Sequence, residues 1–286
     1  MSSERPTEVV RAIETVVGGV LEGVQRHYII ERELADRLRN STRSERLHLY
    51  QELYDLLFQR VPDHPLVTPD LELRKRVVAS QLAFLRQLVP ASGVFMEVGA
   101  GDCRLAIAMA SHVRSAFAVD VSVEISRRAV LPENCHFVLS TGCDIAVPPG
   151  SVTLAFSDQL MEHLHPADAI EQLQQIYQAL APGGMYVLQT PNRLSGPHDV
   201  SKYFDTSATG FHLKEYTSWE LAATLRSAGF RRVYVPLQIG GHARLVPAGP
   251  ICAMERAVAL APRPLRRGVV TRNPWKKALG RIAAVK

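Results

Sequence analysis

The sequence predicts an α/β protein with a mostly parallel central sheet, helices on both faces of that sheet, and a helical extension at the N-terminus. From Val94 onward, six short apolar runs alternate with helix-like segments, which is the pattern of successive βαβ units. Before about residue 90, apolar residues recur at helical spacing instead. The 286 residues, of which 47% are hydrophobic and 21% charged, have the composition of an ordinary globular protein.

The N-terminal extension is expected to span residues 1–90. Thr42 and Glu45 have the spacing of a capping box, which predicts a helix start. Apolar residues then recur every three or four positions from Leu47 to Leu57, as on one face of a helix. A proline-rich break, VPDHPLVTP, precedes a second helical pattern from Leu71 to Val89.

The predicted strands are VFMEV, SAFAVDV, HFVLS, VTLAFS, MYVLQT and RRVYVPLQI, within a domain expected at residues 91–255. Two predicted helices lie between them, RLAIAMASHV and DAIEQLQQIYQAL. In an open parallel sheet, ligands bind beyond the carboxyl ends of the strands. We therefore expect the functional residues directly after these apolar runs.

Basic residues are concentrated near the C-terminus. Nine of the 33 lysines and arginines follow Glu255, and none of the 28 acidic residues does, so residues 256–286 are predicted to form a basic tail. Trp275, Leu279 and Ile282 have i, i+4, i+7 spacing, which suits a helix with weak peripheral contact to an anionic membrane. A solvated terminus is the alternative. Nucleic acid is not an expected partner, because the core shows no aromatic-lined basic platform.

Several other classes of protein are disfavoured by the composition and by local features of the sequence. No apolar run approaches the roughly 18 residues of a transmembrane helix, and the N-terminus lacks the apolar segment of a signal peptide. The four cysteines form no CxxC pair and have no zinc-like spacing, which fits a reducing compartment. These features predict a cytoplasmic protein without a metal site.

The first predicted strand leads into a turn that contains Gly99 and Gly101. Glycines allow a sharp turn and a close approach to a ligand, and the helix that follows offers free backbone N–H groups to an anionic group. A dinucleotide motif, G-x-G-x-x-G, would need glycine at position 104, where Arg104 stands. The alternative pattern acid-x-Gly-x-Gly-x-Gly matches at Glu97 and both glycines, with Cys103 in the last glycine place.

This segment resembles the first motif of the class I S-adenosylmethionine-dependent methyltransferases. Three later segments match that family in order: AFAVDVS, LSTGCDIAVPPGSVTLAFSDQLMEHLHP and LAPGGMYVLQTPNR. The resemblance covers residues 95–232 and is closest to the bacterial small-molecule group whose relatives act on quinone precursors, sugars and lipids. It implies a Rossmann-like fold and S-adenosyl-L-methionine as the cofactor. The family's final antiparallel strand has no obvious counterpart in this sequence.

The resemblance also implies which residues bind the cofactor. Asp120 ends the second predicted strand, where a carboxylate can accept hydrogen bonds from both ribose hydroxyls; a helix N-cap is the alternative role. After the third strand, either Thr141 or Asp144 is expected to face the adenine. The candidate cofactor-binding residues are Glu97, Gly99, Ala100, Gly101, Asp120, Val121, Gly142, Cys143, Asp144, Ser157 and Gln159.

A hydroxyl acceptor would lose a proton during methyl transfer, and a nearby base assists that step. The candidates are histidines that follow the later strands: His163, His198 beside Asp199, and His212. An aspartate can orient a histidine base, although neighbouring residues of an extended chain often point apart. The alternatives are structural, namely a helix start for His163, a loop contact for His198 and a buried position for His212. The sequence does not decide which of these histidines, if any, acts as the base.

Together with the resemblance, these residues predict an S-adenosylmethionine-dependent methyltransferase that acts on a small-molecule, glycan or lipid-linked acceptor, with oxygen as the favoured methylated atom. The N-terminal helices would form a lid over the acceptor pocket or a cap that buries one sheet edge. Two other classes are alternatives. One is a nicotinamide-dependent oxidoreductase, against which Arg104 argues, and the other is a catalytically silent scaffold of the same fold that docks at membranes through its tail.

Overall fold

The computed structural model describes residues 5–64, 70–123, 129–272 and 278–286, with side chains from residue 21 onward. Within these residues one sheet has the strand order β3-β2-β1-β4-β5-β8-β6-β7. The strands are β1 (Val94–Val98), β2 (Ser115–Asp120), β3 (Cys135–Leu139), β4 (Val152–Asp158), β5 (Leu180–Gln189), β6 (Arg232–Ile239), β7 (His242–Pro247) and β8 (Arg281–Val285).

The first five strands pair in parallel, whereas β8 runs antiparallel to both β5 and β6. A hairpin joins β6 to β7 at the edge of the sheet. The six apolar runs of the sequence therefore become β1 to β6, and the predicted α/β architecture is confirmed. The strand order reverses between β1 and β4, which is the place where such sheets bind ligands.

Helices cover both faces of the sheet. They are α1 (Arg5–Arg39), α2 (Arg43–Arg60), α3 (Leu71–Leu85), α4 (Arg104–Ala110), α5 (Pro166–Ala179), α6 (Ser218–Ser227), α7 (Ala248–Ala259) and α8 (Arg263–Val270). Successive residues of β1 face opposite sides, as strand geometry requires. Phe95 packs in one apolar cluster with Leu105 of α4, and Met96 packs in the other with Leu173 of α5.

The N-terminal helices are anchored to the sheet domain by a buried ion pair. Helix α2 begins at the predicted capping box of Thr42 and Glu45. Farther along this helix, Arg46 donates to both carboxylate oxygens of Asp168 at 2.7 and 2.9 Å, and the hydroxyl of Tyr50 donates to Asp168 at 2.7 Å. Burial raises the pKa of Asp168, but these hydrogen bonds outweigh that effect and hold it below its usual value.

The C-terminal strand corrects the predicted basic tail. Residues 281–285 form β8 in the interior of the sheet, and Ile282 is fully buried there. Leu279 is also buried, so neither residue lies on a membrane-facing helix; Trp275 lies outside the described residues. A short apolar run is compatible with either a strand or a helix, and here two neighbouring strands supply its pairing partners. This strand is the antiparallel one that the sequence left unplaced.

No helix among the described residues combines the length and apolarity needed to cross a membrane.

Candidate active site

The turn after β1 is held against the end of β2. Gly99 and Gly101 have φ values of +75° and +51°, a region that glycine adopts without strain. The backbone N–H groups of Gly99 and Ala100 donate to the carbonyl of Val119 at 2.8 and 3.1 Å. A Cβ placed at Gly101 would meet no heavy atom within 4 Å, so the space beside this glycine turn (residues 99–101) is open.

Asp120 lies directly against the glycine turn. Its Oδ2 accepts a hydrogen bond from the Gly101 N–H at 2.7 Å, and its Oδ1 accepts one from the Ser122 N–H at 2.9 Å. Burial raises the pKa of Asp120 above its usual value, although these hydrogen bonds partly oppose the shift. The partly exposed Val121 follows it. The glycine turn and Asp120, which the sequence identified separately, are thus joined in one structural unit.

Glu97 and Cys103 are buried residues on either side of this turn in the sequence. Glu97 is buried, and its Oε2 accepts a hydrogen bond from the Ala106 N–H in the first turn of α4 at 2.9 Å. Burial raises the pKa of Glu97 to about 8. Cys103 is fully buried with φ of +59°, which explains why the motif of this fold favours glycine there.

The loop after β3 places its four predicted residues in two environments. Thr141 and Asp144 are exposed and bind each other, because the Asp144 carboxylate accepts hydrogen bonds from the backbone N–H and the hydroxyl of Thr141, both at 2.5 Å. Gly142 and Cys143 are buried, and a Cβ at Gly142 would lie 2.8 Å from the ring of Tyr50. Of these four residues, Thr141 and Asp144 are therefore the two whose side chains a ligand could contact.

The end of β4 carries a polar residue, Asp158, between the two predicted site residues Ser157 and Gln159. Ser157 is fully buried and its hydroxyl lies 2.6 Å from that of Tyr186, whereas Gln159 is exposed with φ of +54°. Between them, Asp158 accepts a hydrogen bond from the Gln81 side chain on Oδ2 at 2.6 Å, and its buried Oδ1 has no partner among the described residues. Strand alternation could have identified Asp158, since it faces opposite to Ser157.

Helix α3 also contributes to the site, although it lies within the predicted N-terminal extension. Arg74 donates two hydrogen bonds to Asp102 in the turn before α4, at 2.9 and 3.3 Å. Gln81, seven residues later and therefore about two turns along the helix, contacts Asp158. Arg74 and Gln81 have no distinguishing spacing in the sequence, so only the packing of α3 against the turn before α4 and the end of β4 reveals their roles.

Two of the candidate histidines meet at a buried glutamate. Glu162 and His163 belong to a short 3-10 helix after β4, Met161–His163. The rings of His163 and His212 are 4.8 Å apart between centroids. Burial raises the pKa of Glu162 to about 7, and burial together with nearby His212 lowers the pKa of His163 to about 3.

His198 and Asp199 do not form the hypothesised pair. The Nε2 atom of His198 lies 2.9 Å from the Ser195 hydroxyl and 3.2 Å from the Asn192 carbonyl. Asp199 instead accepts hydrogen bonds from the backbone N–H groups of Ser201 and Gly210, at 3.1 and 3.0 Å. The two side chains are directed to different parts of the loop, as expected for neighbours in an extended chain.

A cavity of about 1200 Å³ opens beyond the ends of β4, β5 and β6 and the start of β8. His198 lines it together with three cationic side chains, those of Lys202, Arg267 and Arg281. No acidic residue is present in its lining within the described part of the chain. Arg281 donates to Oε1 of Gln189 at 2.9 Å, and burial lowers its pKa. The cavity therefore presents positive charge.

Residues 71–235 match the methyltransferase domain family, and this match covers more than half of the chain. The chain belongs to the methyltransferase domain family. The matched range begins at the first residue of α3 and ends within β6, so the glycine turn, Asp120, Asp158 and the candidate histidines all lie inside it. The final strand, β8, follows it.

Individual relatives of this methyltransferase-family chain are distant. A Mycolicibacterium smegmatis protein, described as a probable S-adenosylmethionine-dependent methyltransferase, is 32% identical over 87 residues, which are 30% of this chain and 32% of the relative. The match thus spans about a third of the length of that curated relative.

Solved structures share the fold at low sequence identity. A chain from the complex between the Haloferax volcanii Trm112 methyltransferase activator and a methyltransferase superposes with a TM-score of 0.52 at 17% identity over 73% of this chain and 88% of its own. An Archaeoglobus fulgidus SAM-dependent methyltransferase gives a TM-score of 0.49 at 16% identity over 74% and 94%. The first of these shows the common Rossmann-like architecture.

Proposed function

We propose that this protein is an S-adenosylmethionine-dependent methyltransferase that methylates an oxygen of a small-molecule, glycan or lipid-linked acceptor. The observation that carries the proposal is the contact between the glycine turn and Asp120. The Gly101 N–H lies 2.7 Å from the Asp120 carboxylate, with open space beside the glycine. This arrangement supports binding of a nucleoside, because the turn admits its close approach and the carboxylate can accept hydrogen bonds from ribose hydroxyls.

The amino-acid end of the cofactor is assigned to Asp158. This carboxylate has one buried oxygen without a partner among the described residues, and leaving such an atom unpaired is unfavourable. A cationic ammonium group would satisfy it. Asp120 and Asp158 end strands β2 and β4, which flank β1 on either side, so a ligand between them would span the glycine turn.

The acceptor is assigned to the cavity next to Gln159. Lys202, Arg267 and Arg281 line that cavity without an acidic residue among its described lining, which supports an acceptor that carries a phosphate or carboxylate group. Arginine is suited to such groups because its guanidinium offers several donors in one plane. The volume of about 1200 Å³ exceeds that of most small-ligand pockets and leaves room for a lipid-linked or glycosylated acceptor.

Methyl transfer in this site would be an in-line displacement. A bond forms between the acceptor oxygen and the methyl carbon, the bond between that carbon and the sulfonium sulfur breaks, and the acceptor hydroxyl loses a proton. Alignment of the reacting groups can contribute about 7–11 kcal/mol of barrier reduction. His198 is the histidine that lines the cavity among the described residues, and we assign the proton to it; such a base adds about 10²–10⁴-fold.

Isothermal titration with S-adenosylhomocysteine tests the proposal directly. Asp120→Ala is expected to weaken this binding at least tenfold, while Asp36→Ala, which removes an exposed carboxylate of α1, is expected to leave it unchanged. If S-adenosylhomocysteine bound Asp120→Ala and wild type with equal affinity, the role of Asp120 in binding the ribose would be rejected. An absence of binding by wild type at high micromolar concentration, with NADH bound in a parallel fluorescence titration, would support the nicotinamide alternative instead.

A further inference from the structure

We propose that Glu162, His163 and His212 form a binding site for a divalent transition-metal ion such as zinc or cobalt, separate from the cofactor. One ligand atom from each residue lies within 4.8 Å of the others. Glu162 and His163 come from the segment after β4, and His212 comes from the loop before α6. The fold thus brings His212 next to Glu162 and His163, although it follows His163 by 49 positions in the sequence.

The carboxylate of Glu162 points to a missing ligand. Glu162 is fully buried, and its Oε2 accepts a hydrogen bond from the Thr190 hydroxyl at 2.9 Å. Its Oε1 is also buried and has no hydrogen-bond partner among the described residues. Buried polar atoms are almost always satisfied, and an unpaired carboxylate oxygen beside two imidazoles is satisfied by a shared cation.

The two histidines are oriented in the manner of metal ligands. The Nδ1 of His163 lies 3.0 Å from the Phe211 carbonyl, and the Nδ1 of His212 lies 2.9 Å from Oε1 of Glu215. A carbonyl and a carboxylate can only accept, so each Nδ1 carries a proton and Nε2 is the ring nitrogen that remains available to a metal. Metal-binding histidines characteristically donate their second ring nitrogen to such an acceptor.

Two other clusters of the described residues contain similar groups, and their carboxylates are already bonded. These clusters are His27, Glu31 and His64, and Cys143, Asp168 and Glu171. Glu31 accepts from His27 on one oxygen and from the Phe211 N–H on the other, and Asp168 is bonded on both oxygens by Arg46. Of these three clusters of described residues, the cluster of Glu162 alone combines potential ligands with an unpartnered buried oxygen.

The donor set selects the class of metal. Two imidazole nitrogens and one carboxylate oxygen suit zinc, cobalt and iron(II) rather than calcium or magnesium, which prefer oxygen. Three protein ligands leave at least one coordination position open, as in metal sites that bind a further molecule. Thr190, which donates to Glu162, also lines the acceptor cavity, so the metal site adjoins that cavity.

A cobalt titration tests this site without relying on methyl transfer. The full chain is stripped with a chelator and titrated with Co²⁺ alone, with visible absorption as the readout. One equivalent is expected to bind. His212→Asn is expected to weaken binding at least tenfold, because asparagine can still donate to Glu215 but lacks the Nε2 ligand; Glu162→Gln should do the same. His165→Asn, in the same segment but outside the cluster, should leave the affinity unchanged.

Glu215→Gln provides a milder variant, which should weaken Co²⁺ binding about 10–100-fold by loosening the orientation of His212. Circular dichroism verifies that each variant is folded, and zinc content by mass spectrometry is measured on the wild type. The proposal is overturned if the wild type binds no Co²⁺ at high micromolar concentration, or if His212→Asn binds it as tightly as wild type. Titration with S-adenosylhomocysteine on the stripped protein tests the methyltransferase proposal separately.

Discussion

The Gln81 side chain donates a hydrogen bond of 2.6 Å to Oδ2 of Asp158 and thereby joins helix α3 to the end of β4. The other oxygen of this carboxylate, Oδ1, is buried without a partner among the described residues. Burial raises the pKa of Asp158 above its usual value, although hydrogen bonds with Gln159 and Gln81 and the nearby charges of Arg281 and Arg74 partly oppose the shift. A cationic ligand group at this point would restore favourable pairing.

Asp158→Asn is therefore expected to weaken binding of S-adenosylhomocysteine about 10–100-fold, the usual range for a hydrogen bond to a charged group. Binding of 5′-methylthioadenosine, which has the nucleoside but no amino-acid group, should not change. Asp120→Ala is the matched variant at the nucleoside end and should weaken both ligands. Calorimetry on both variants with each of the two ligands distinguishes the nucleoside end of the site from the amino-acid end. If Asp158→Asn lost the same affinity for both ligands, the assignment of Asp158 to the amino-acid end would be contradicted.

Cys103 occupies a backbone conformation that favours glycine. Its φ of +59° costs about 1–2 kcal/mol for a residue with a Cβ. Cys103→Gly is expected to be about 1 kcal/mol more stable than Cys103→Ala, because both lose the sulfur but only glycine relieves the strain. The two free energies of unfolding in urea provide the comparison. If the alanine variant were the more stable one, the strain argument for this motif position would fail.

Gly142 is packed against the ring of Tyr50, and an added Cβ there would lie 2.8 Å from Cδ2. We expect Gly142→Ala to be destabilising by at least about 1 kcal/mol more than Gly150→Ala, because overpacking adds to backbone strain. Gly150 is the matched control, since it also has a positive φ but no heavy atom within 4 Å of an added Cβ. Thermal unfolding of both variants tests this difference, and similar midpoints would show that Tyr50 moves aside without cost.

Glu31 links α1 to the loop around Phe211. Burial raises its pKa, but hydrogen bonds with His27, His64 and the Phe211 N–H outweigh that effect and lower the pKa to about 2 from an ordinary 4.5. The ionised carboxylate therefore stabilises the folded state above pH 4.5, and this contribution is lost as the pH falls from 4.5 towards 2. The difference in unfolding free energy between wild type and Glu31→Gln should shrink over that interval. A difference that does not depend on pH would contradict this pairing.

Much of the architecture could be predicted because its signals are local. The strand ending at Val98, the glycine turn and the capping box at Thr42 each depend on residues within a few positions of one another. Asp120 could be assigned to the same edge of the sheet as Gly101 because parallel strands bring their carboxyl ends together. The contact between them follows from that geometry.

The side-chain partners could not be predicted in the same way. Asp199 was a candidate to orient His198, but in the structure its carboxylate accepts hydrogen bonds from the backbone of its own loop instead. Asp158 gained significance only when Gln81, 77 positions earlier in the chain, occupied one of its oxygens. Such contacts depend on how separate elements pack, and residue type alone does not distinguish a buried carboxylate with a free oxygen from one that is satisfied.

The sequence by itself determined the first six strands and their order along the chain, the class of fold and the position of the glycine turn, because hydrophobic periodicity and turn chemistry act over a few residues. Tertiary structure alone decided the place of β8 and the meeting of Glu162, His163 and His212. The apolar run at 281–285 is ambiguous on its own and becomes a strand because β5 and β6 leave backbone groups to pair on either side of it. Pairing and packing between distant segments are properties of the whole folded chain.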